Sequence, residues 1–264
     1  MTKADNNQFG YLRKFLAWCV HFYTALGLVV AAGIAVLIVN GGTDSFRWAF
    51  VLMLVATFID GTDGTLARAV RVKEVVPGFD GRRLDDITDF LTYTFLPLLL
   101  LWRAHVLPAG YDWCLVVALL ASAYGFCQVS IKTDDGYFLG FPSYWNLVAL
   151  YLYLLSPAGW VSVSLILLLS LLTFVPTRYL YPSQGGTLNL VTCALGVVWG
   201  AMLLWILTHL PSSNMSLNQS DSSIYRLTLW SLFFPVHYTV ASWVVTVKIW
   251  QTQRHQVTGE PRAS

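Results

Sequence analysis

Half of this chain's acidic side chains are crowded into one short stretch between two apolar runs. From Asp60 to Asp89 the sequence reads DGTDGTLARAVRVKEVVPGFDGRRLDDITD. It holds Asp60, Asp63, Glu74, Asp80, Asp85, Asp86 and Asp89, seven of the fourteen acidic residues in 264. The surroundings make this crowding costly, because the chain is 56% hydrophobic and only 11% charged. A soluble domain carries roughly a quarter charged residues. The sequence therefore reads as an all-α integral membrane protein, and so many carboxylates beside a bilayer call for a bound ligand, with metal ions the first candidates.

Apolar runs set the architecture. They predict helices over Phe15–Val39, from Phe46 through Asp60 to about Arg68, and from Asp85 onward. Further spans follow at Tyr111–Ile131, Pro142–Ser156, Val161–Tyr179, Thr187–His209 and Ile224–Ile249, about eight transmembrane helices in all. Residues 1–14 alternate charges with aromatics and read as a cytoplasmic or interfacial segment. Residues 15–250 then form one polytopic membrane domain, and 251–264 a cytoplasmic tail. Cys19, Cys114, Cys127 and Cys193 all lie in apolar runs without pairing motifs, so no disulfide framework or zinc site is indicated. With the N-terminus inside, only Arg47, Arg103 and Arg226 of the sixteen basic residues fall outside, a strong positive-inside bias. This places the acidic stretch on the cytoplasmic side of the membrane.

The spacing within the stretch carries the chemistry. Asp60 and Asp63 are three apart, and Gly64 and Ala67 continue their helical face with Arg68 close by. Asp85 and Asp89 are four apart and share a face of the next helix. Two such carboxylate pairs can meet across a helical hairpin, where unneutralised they would repel or take up protons. Two divalent cations would cancel the charge and supply a reactive centre. All-oxygen ligands suit hard ions, so Mn²⁺ or Mg²⁺ is expected rather than zinc. Gly64 and Ala67 leave a shallow groove in which a ligand can lie on the backbone. Arg68 offers a fork suited to phosphate oxygens. A metal-bound diphosphate is the implied ligand.

The residues Asp60-x-x-Asp63-Gly64-x-x-Ala67-Arg68, then Gly81-x-x-x-Asp85-x-x-x-Asp89, resemble the signature of the CDP-alcohol phosphotransferases, eight fixed positions in all. The twelve residues from Ala69 to Asp80 make a longer spacer than most members have. That spacer, and the run Gly136 to Leu155, are similar to those of the bacterial phosphatidylcholine synthases within the family. The resemblance implies a six-helix core and a CDP-diacylglycerol donor. It further implies that Asp60, Asp63, Asp85 and Asp89 bind two metals, and that Asp63, Gly64, Ala67, Arg68 and Gly81 form the CDP-diacylglycerol site. Asp89 resembles the general base that takes the acceptor's hydroxyl proton. A homodimer is implied by resemblance alone, and no nucleic-acid partner is expected. Asp80 and Asp86 lie outside the pattern.

Choline, if it is the acceptor, should prefer aromatic faces. Of the 15 Phe, 11 Trp and 13 Tyr, the expected contacts are Tyr93, Tyr124, Phe141, Tyr144 and Trp145. The five histidines show no ligand spacing and read as packing or surface residues. Serine, inositol or a glycerol phosphate are alternative acceptors within the same chemistry. The apolar run after Asp89, FLTYTFLPLLLLW, argues against a phosphorylated one. A cation transporter is the remote alternative. It would carry its acids near the midplane, often with inverted repeats.

Overall fold

The computed structural model describes residues 10–128, 137–180, 187–210 and 222–258. Residues 1–9, 129–136, 181–186, 211–221 and 259–264 lie outside the described residues. Helices dominate. In chain order they are α1 (Tyr11–Asn40), α2 (Thr43–Val70), α3 (Val72–Val75), α4 (Gly81–Asp89), α5 (Leu96–Arg103) and α6 (Trp113–Cys127). Strand β1 (Tyr137–Leu139) comes next, then α7 (Trp145–Leu155), α8 (Gly159–Leu172), β2 (Arg178–Leu180), α9 (Thr187–His209), α10 (Ser222–Ser231) and α11 (Phe233–Thr258).

Four stretches of helix are long and apolar enough to cross a membrane: Tyr11–Asn40, Thr43–Val70, Leu190–His209 and Ser223–Thr252. A further crossing is built in pieces. α4 runs into a π-helical turn, Phe90–Phe95, and then into α5. The stack from Gly81 to Arg103 is about 35 Å long at 1.5 Å per residue. Three shorter apolar helices, Trp113–Cys127, Trp145–Leu155 and Gly159–Leu172, complete the set. Phe22, Val39, Trp160, Val197 and Trp230 point outward, while Thr24, Thr88, Thr92, Ser122 and Ser162 are buried. Apolar residues outside with small polar ones between helices is the pattern of a protein solvated by lipid. The chain is a multi-pass membrane protein.

The fold forms two compact units. The first comprises the chain to Val106 together with Trp145–Tyr153. Its frame is the α1–α2 hairpin, turned by Gly41 and Gly42 at φ +69° and +85°, backbone that a side chain would strain. The guanidinium of Arg103 lies against Gly41, so the α4–α5 stack returns to the turn end of the hairpin. Where α1 crosses α4, Gly27 is so close to the Thr88 methyl that there is no room for a Cβ. The second unit holds α6, α8, α9, α10, α11 and both strands. β1 pairs antiparallel with β2, with Phe138 opposite Tyr179. Thr246 of α11 brackets the edge of β2, accepting from the Arg178 N–H at 2.8 Å and donating to its carbonyl at 3.1 Å.

Several boundaries differ from the sequence expectation, each for a local reason. The third helix begins at Gly81 rather than Asp85, because Asp80 caps it by accepting from the Arg83 N–H at 3.2 Å. The sixth span stops at Leu172, not Tyr179. Pro176 cannot continue a helix and pushes Val175 toward extended backbone, and the chain then enters β2. The final span is interrupted at Leu232, just ahead of Pro235 in the first turn of α11. The π turn precedes Pro97, which has no N–H to give the Tyr93 carbonyl and crowds it.

The Gly27–Thr88 contact makes a stability prediction. Gly27→Ala should destabilise the protein in detergent by about 1–3 kcal/mol, the usual cost of overpacking. Adding Thr88→Ser, which deletes the opposing methyl, should recover most of the loss. Thermal unfolding followed by size-exclusion chromatography reads both, and equal melting of the single and double variants would show that the contact is not limiting.

Candidate active site

α2 delivers Asp60 near its C-terminal end, and α4 delivers Asp85 and Asp89 from one face. The outward face of α4 shows Arg82, Arg83 and Ile87 to the surroundings, while Thr88 packs inward on Gly27. Asp60, Asp85 and Asp89 are half-buried, and one carboxylate oxygen from each lies within 4.8 Å of the other two. At that separation each ionised pair repels by roughly 3 kcal/mol at an effective dielectric constant of about 20. A divalent cation reverses the sign of this interaction, and an all-carboxylate donor set suits a hard ion. The residues fit the metal that their spacing implies.

The structure brings together three of the four carboxylates expected to bind metal. Asp63, one turn beyond Asp60, does not fall within that cluster. It is buried, and its carboxylate accepts from the Thr24 hydroxyl of α1 at 2.7 Å. Next to it Thr62 shares a 2.8 Å hydrogen bond with Tyr23. Two neighbouring polar contacts thus pin the end of α2 to α1 beside the site.

The residues expected to form the phosphate groove on α2 lie toward the same end of that helix. A Cβ on Gly61 would meet nothing within 4 Å, and one on Gly64 would meet only Arg68 Nη1 at 3.4 Å. The backbone there is accessible to a ligand. Arg68 is exposed, with Nη2 donating to the Thr65 hydroxyl at 3.0 Å. Ala67 is half-buried and packs on an apolar cluster of Ala17, Val20, Val72 and Val75. Gly81 opens α4 directly under His21, whose ring atoms Cε1 and Nδ1 would be 2.6 and 2.9 Å from a Cβ there. His21 is itself enclosed by Phe79, centroids 4.4 Å apart, and Trp18 at 5.7 Å. Asp80 caps α4 and pairs with Arg83 at 3.3 Å, and Asp86 is half-buried.

The five expected choline contacts are placed differently from one another. Tyr93 is buried in the first unit and its hydroxyl donates to Asp60 Oδ2 at 2.7 Å. Trp145 is fully buried. In the second unit Tyr124 is exposed beside Phe174, ring centroids 4.8 Å apart, and Phe141 is buried. Tyr144 sets its ring edge toward Tyr238 at 5.9 Å, and Phe138 joins that aromatic cluster.

Residues 19–210 match the model of the CDP-alcohol phosphatidyltransferase family, most of the chain. The chain belongs to the CDP-alcohol phosphatidyltransferase family. Among its curated relatives, a phosphatidylcholine synthase from Pseudomonas aeruginosa is 33% identical over 92% of this chain and 94% of that protein. One from Legionella pneumophila is 33% identical over 84% of this chain and 91% of its own length. One from Borreliella burgdorferi is 35% identical over 71% and 79%. The family is generally divalent-metal dependent, and the Asp cluster between α2 and α4 is the matching feature here.

Sequence reasoning missed Thr24, Thr57 and Asn146, while His21 is the packing residue it was expected to be. Thr57 was accessible to it, three residues before Asp60 on the same helical face. The Thr24, His21 and Asn146 contacts depend on how helices cross, which spacing within one helix does not encode.

Gly81 is the sharpest local test. Gly81→Ala should lower turnover by ~10²-fold, as displacing a reacting group by about an ångström does. If the cause is collision with His21, His21→Ala/Gly81→Ala should recover much of that loss in the same lipid-product assay. A double variant as inactive as the single one would mean that a ligand, not the imidazole, needs the space.

Proposed function

We propose that this chain is a phosphatidylcholine synthase, transferring the phosphatidyl group from CDP-diacylglycerol to choline and releasing CMP. The observation that carries this reading is the near full-length similarity to the phosphatidylcholine synthase of Pseudomonas aeruginosa. The carboxylate cluster of Asp60, Asp85 and Asp89 supports the family chemistry on which it rests.

Each residue has a role in that reaction. The open strip at Gly61 and Gly64 receives the nucleotide diphosphate, and exposed Arg68 binds its phosphate oxygens. Asp60, Asp85 and Asp89 would hold Mn²⁺ or Mg²⁺, with Asp63 completing the set from the next turn. When bound, divalent ions would offset negative charge on the diphosphate and ease the departure of CMP. Asp89 accepts the proton of the choline hydroxyl as that oxygen attacks the phosphorus carrying diacylglycerol. The bond to the bridging oxygen breaks, and CMP leaves with the electron pair. Proton transfer to Asp89 is concerted with the attack or follows it.

The quaternary ammonium of choline calls for an aromatic face beside the carboxylates. The basic-residue asymmetry supports a bacterial inner-membrane location with the carboxylate end of the first unit facing the cytoplasm, where cytidine nucleotides are found. Arg103 beside Gly41, and Arg47 near the start of α2, lie at the opposite end of that unit. Residues 15–250 form the catalytic membrane domain in this reading, and dimerisation rests on resemblance alone.

Two experiments decide it. Purified protein given CDP-diacylglycerol and labelled choline, serine, inositol or glycerol 3-phosphate should form phosphatidylcholine and none of the other lipids. Another labelled product would leave the family intact and replace the acceptor. Asp89→Asn should reduce turnover by at least ~10²-fold, the lower range for losing a general base, while CDP-diacylglycerol binding persists. Undiminished CMP release by that variant would remove Asp89 from the role of base.

A further inference from the structure

Beside the carboxylate cluster runs a row of polar side chains, Tyr93 and Asn146 buried and Thr57 half-buried, that the reaction outlined above does not use. Tyr93 is only 7% exposed, and its phenol donates to Asp60 Oδ2 at 2.7 Å, a short charge-assisted bond. Thr57 stands beside the same phenol, one turn before Asp60 on α2. Its hydroxyl donates to the Met53 carbonyl at 3.0 Å and accepts from Asn146 Nδ2 at 3.2 Å. Asn146, 3% exposed, is steadied in turn by the Leu147 N–H, which donates to its Oδ1 at 2.9 Å. All of these residues belong to the first unit.

We propose that Tyr93, backed by Thr57 and Asn146, is a positioning residue that holds Asp60 in the orientation from which it ligates a divalent cation. A carboxylate's terminal torsion is soft, with a broad energy well. One hydrogen bond to Oδ2 removes that freedom and leaves the other lone pairs available toward Asp85 and Asp89. Such outer partners typically change metal affinity 10- to 100-fold when removed. The π turn explains how Tyr93 reaches its place. It begins directly after Asp89, so one continuous helix supplies a ligand and, four residues on, the clamp for a ligand on the opposite helix. Buried hydroxyl and amide groups inside a membrane protein are expensive unless satisfied, and here each satisfies the next. The same burial removes Tyr93 from the choline contacts, because its hydroxyl is committed and its ring is enclosed.

The proposal rests on the reading that the carboxylate cluster binds a divalent cation, and it is independent of which alcohol is the acceptor. The test uses the purified full-length protein in detergent, without lipid substrate or choline. Mn²⁺ is titrated in and the free ion is read by electron paramagnetic resonance. Tyr93→Phe should bind Mn²⁺ about 10- to 100-fold more weakly than the wild type, and Thr57→Val should show a smaller loss in the same direction. In the lipid-product assay raised Mn²⁺ should restore turnover of Tyr93→Phe, with the KM for choline unchanged. If Tyr93→Phe does not purify folded, Thr57→Val answers the same question. Wild-type affinity in both variants, or a raised choline KM with unchanged Mn²⁺ binding, overturns the proposal. So does a wild type that takes up no Mn²⁺. A wild type that binds Mn²⁺ but makes no phosphatidylcholine overturns the acceptor assignment and leaves this one standing.

Discussion

Mutual repulsion among Asp60, Asp85 and Asp89 is the constraint to which the first unit is built. Three carboxylates with oxygens within 4.8 Å do not approach one another unaided, so the scaffold has to bring them together. α1 performs this task by touching both partner helices. It holds α2 through the Thr24–Asp63 and Tyr23–Thr62 hydrogen bonds, and it holds α4 through the close approach of Gly27 to Thr88. Polar glue on one side and a small residue on the other are the two means of fixing helices in lipid, where apolar burial alone gives little preference.

The same logic explains how Asp63 differs from its neighbour three residues earlier. Both lie near the end of α2, yet Asp60 turns toward α4 and Asp63 toward α1. A helix advances about 100° per residue, so three residues bring the side chain back to within about 60° of its starting direction. That residual angle is enough to divide two carboxylates between two neighbouring helices. Asp63 is therefore tied into the frame, and a change there would disturb the packing of α2 on α1.

Much of this was legible in the sequence because it depends on local periodicity. Asp85 and Asp89 share a face at spacing four, and Asp60 opposes them because a hairpin must return. The apolar runs fixed most spans to within a few residues. The misses are where a non-local or single-residue event decided the outcome. Asp80 captured the cap and moved the start of α4 to Gly81. Pro176 ended α8 early and freed Arg178–Leu180 to pair with Tyr137–Leu139. Tyr93 read as an aromatic near the site, but its hydroxyl partner lies thirty-three residues away on another helix. Nothing in its own helix marks it as a clamp rather than a cage wall.

The long spacer between the two halves of the signature acquires a physical role from the fold. Its twelve residues are not a slack loop. Arg71 takes a left-handed conformation, φ +56°, that ends α2 and lets α3 begin at once. Val72 and Val75 of α3 then bury themselves against Ala17 and Val20 of α1. Phe79 follows, with its ring on His21, and Asp80 closes the spacer as the cap of α4. The spacer is thus fastened to α1 at two levels, once by the valines and once by the phenylalanine. The second level fixes the residue at which α4 starts, and so the height of Asp85 and Asp89 opposite Asp60. A shorter spacer would have to set that height without α3. The spacer therefore goes with a carboxylate cluster whose registration is taken from α1, although α1 contributes no residue to it.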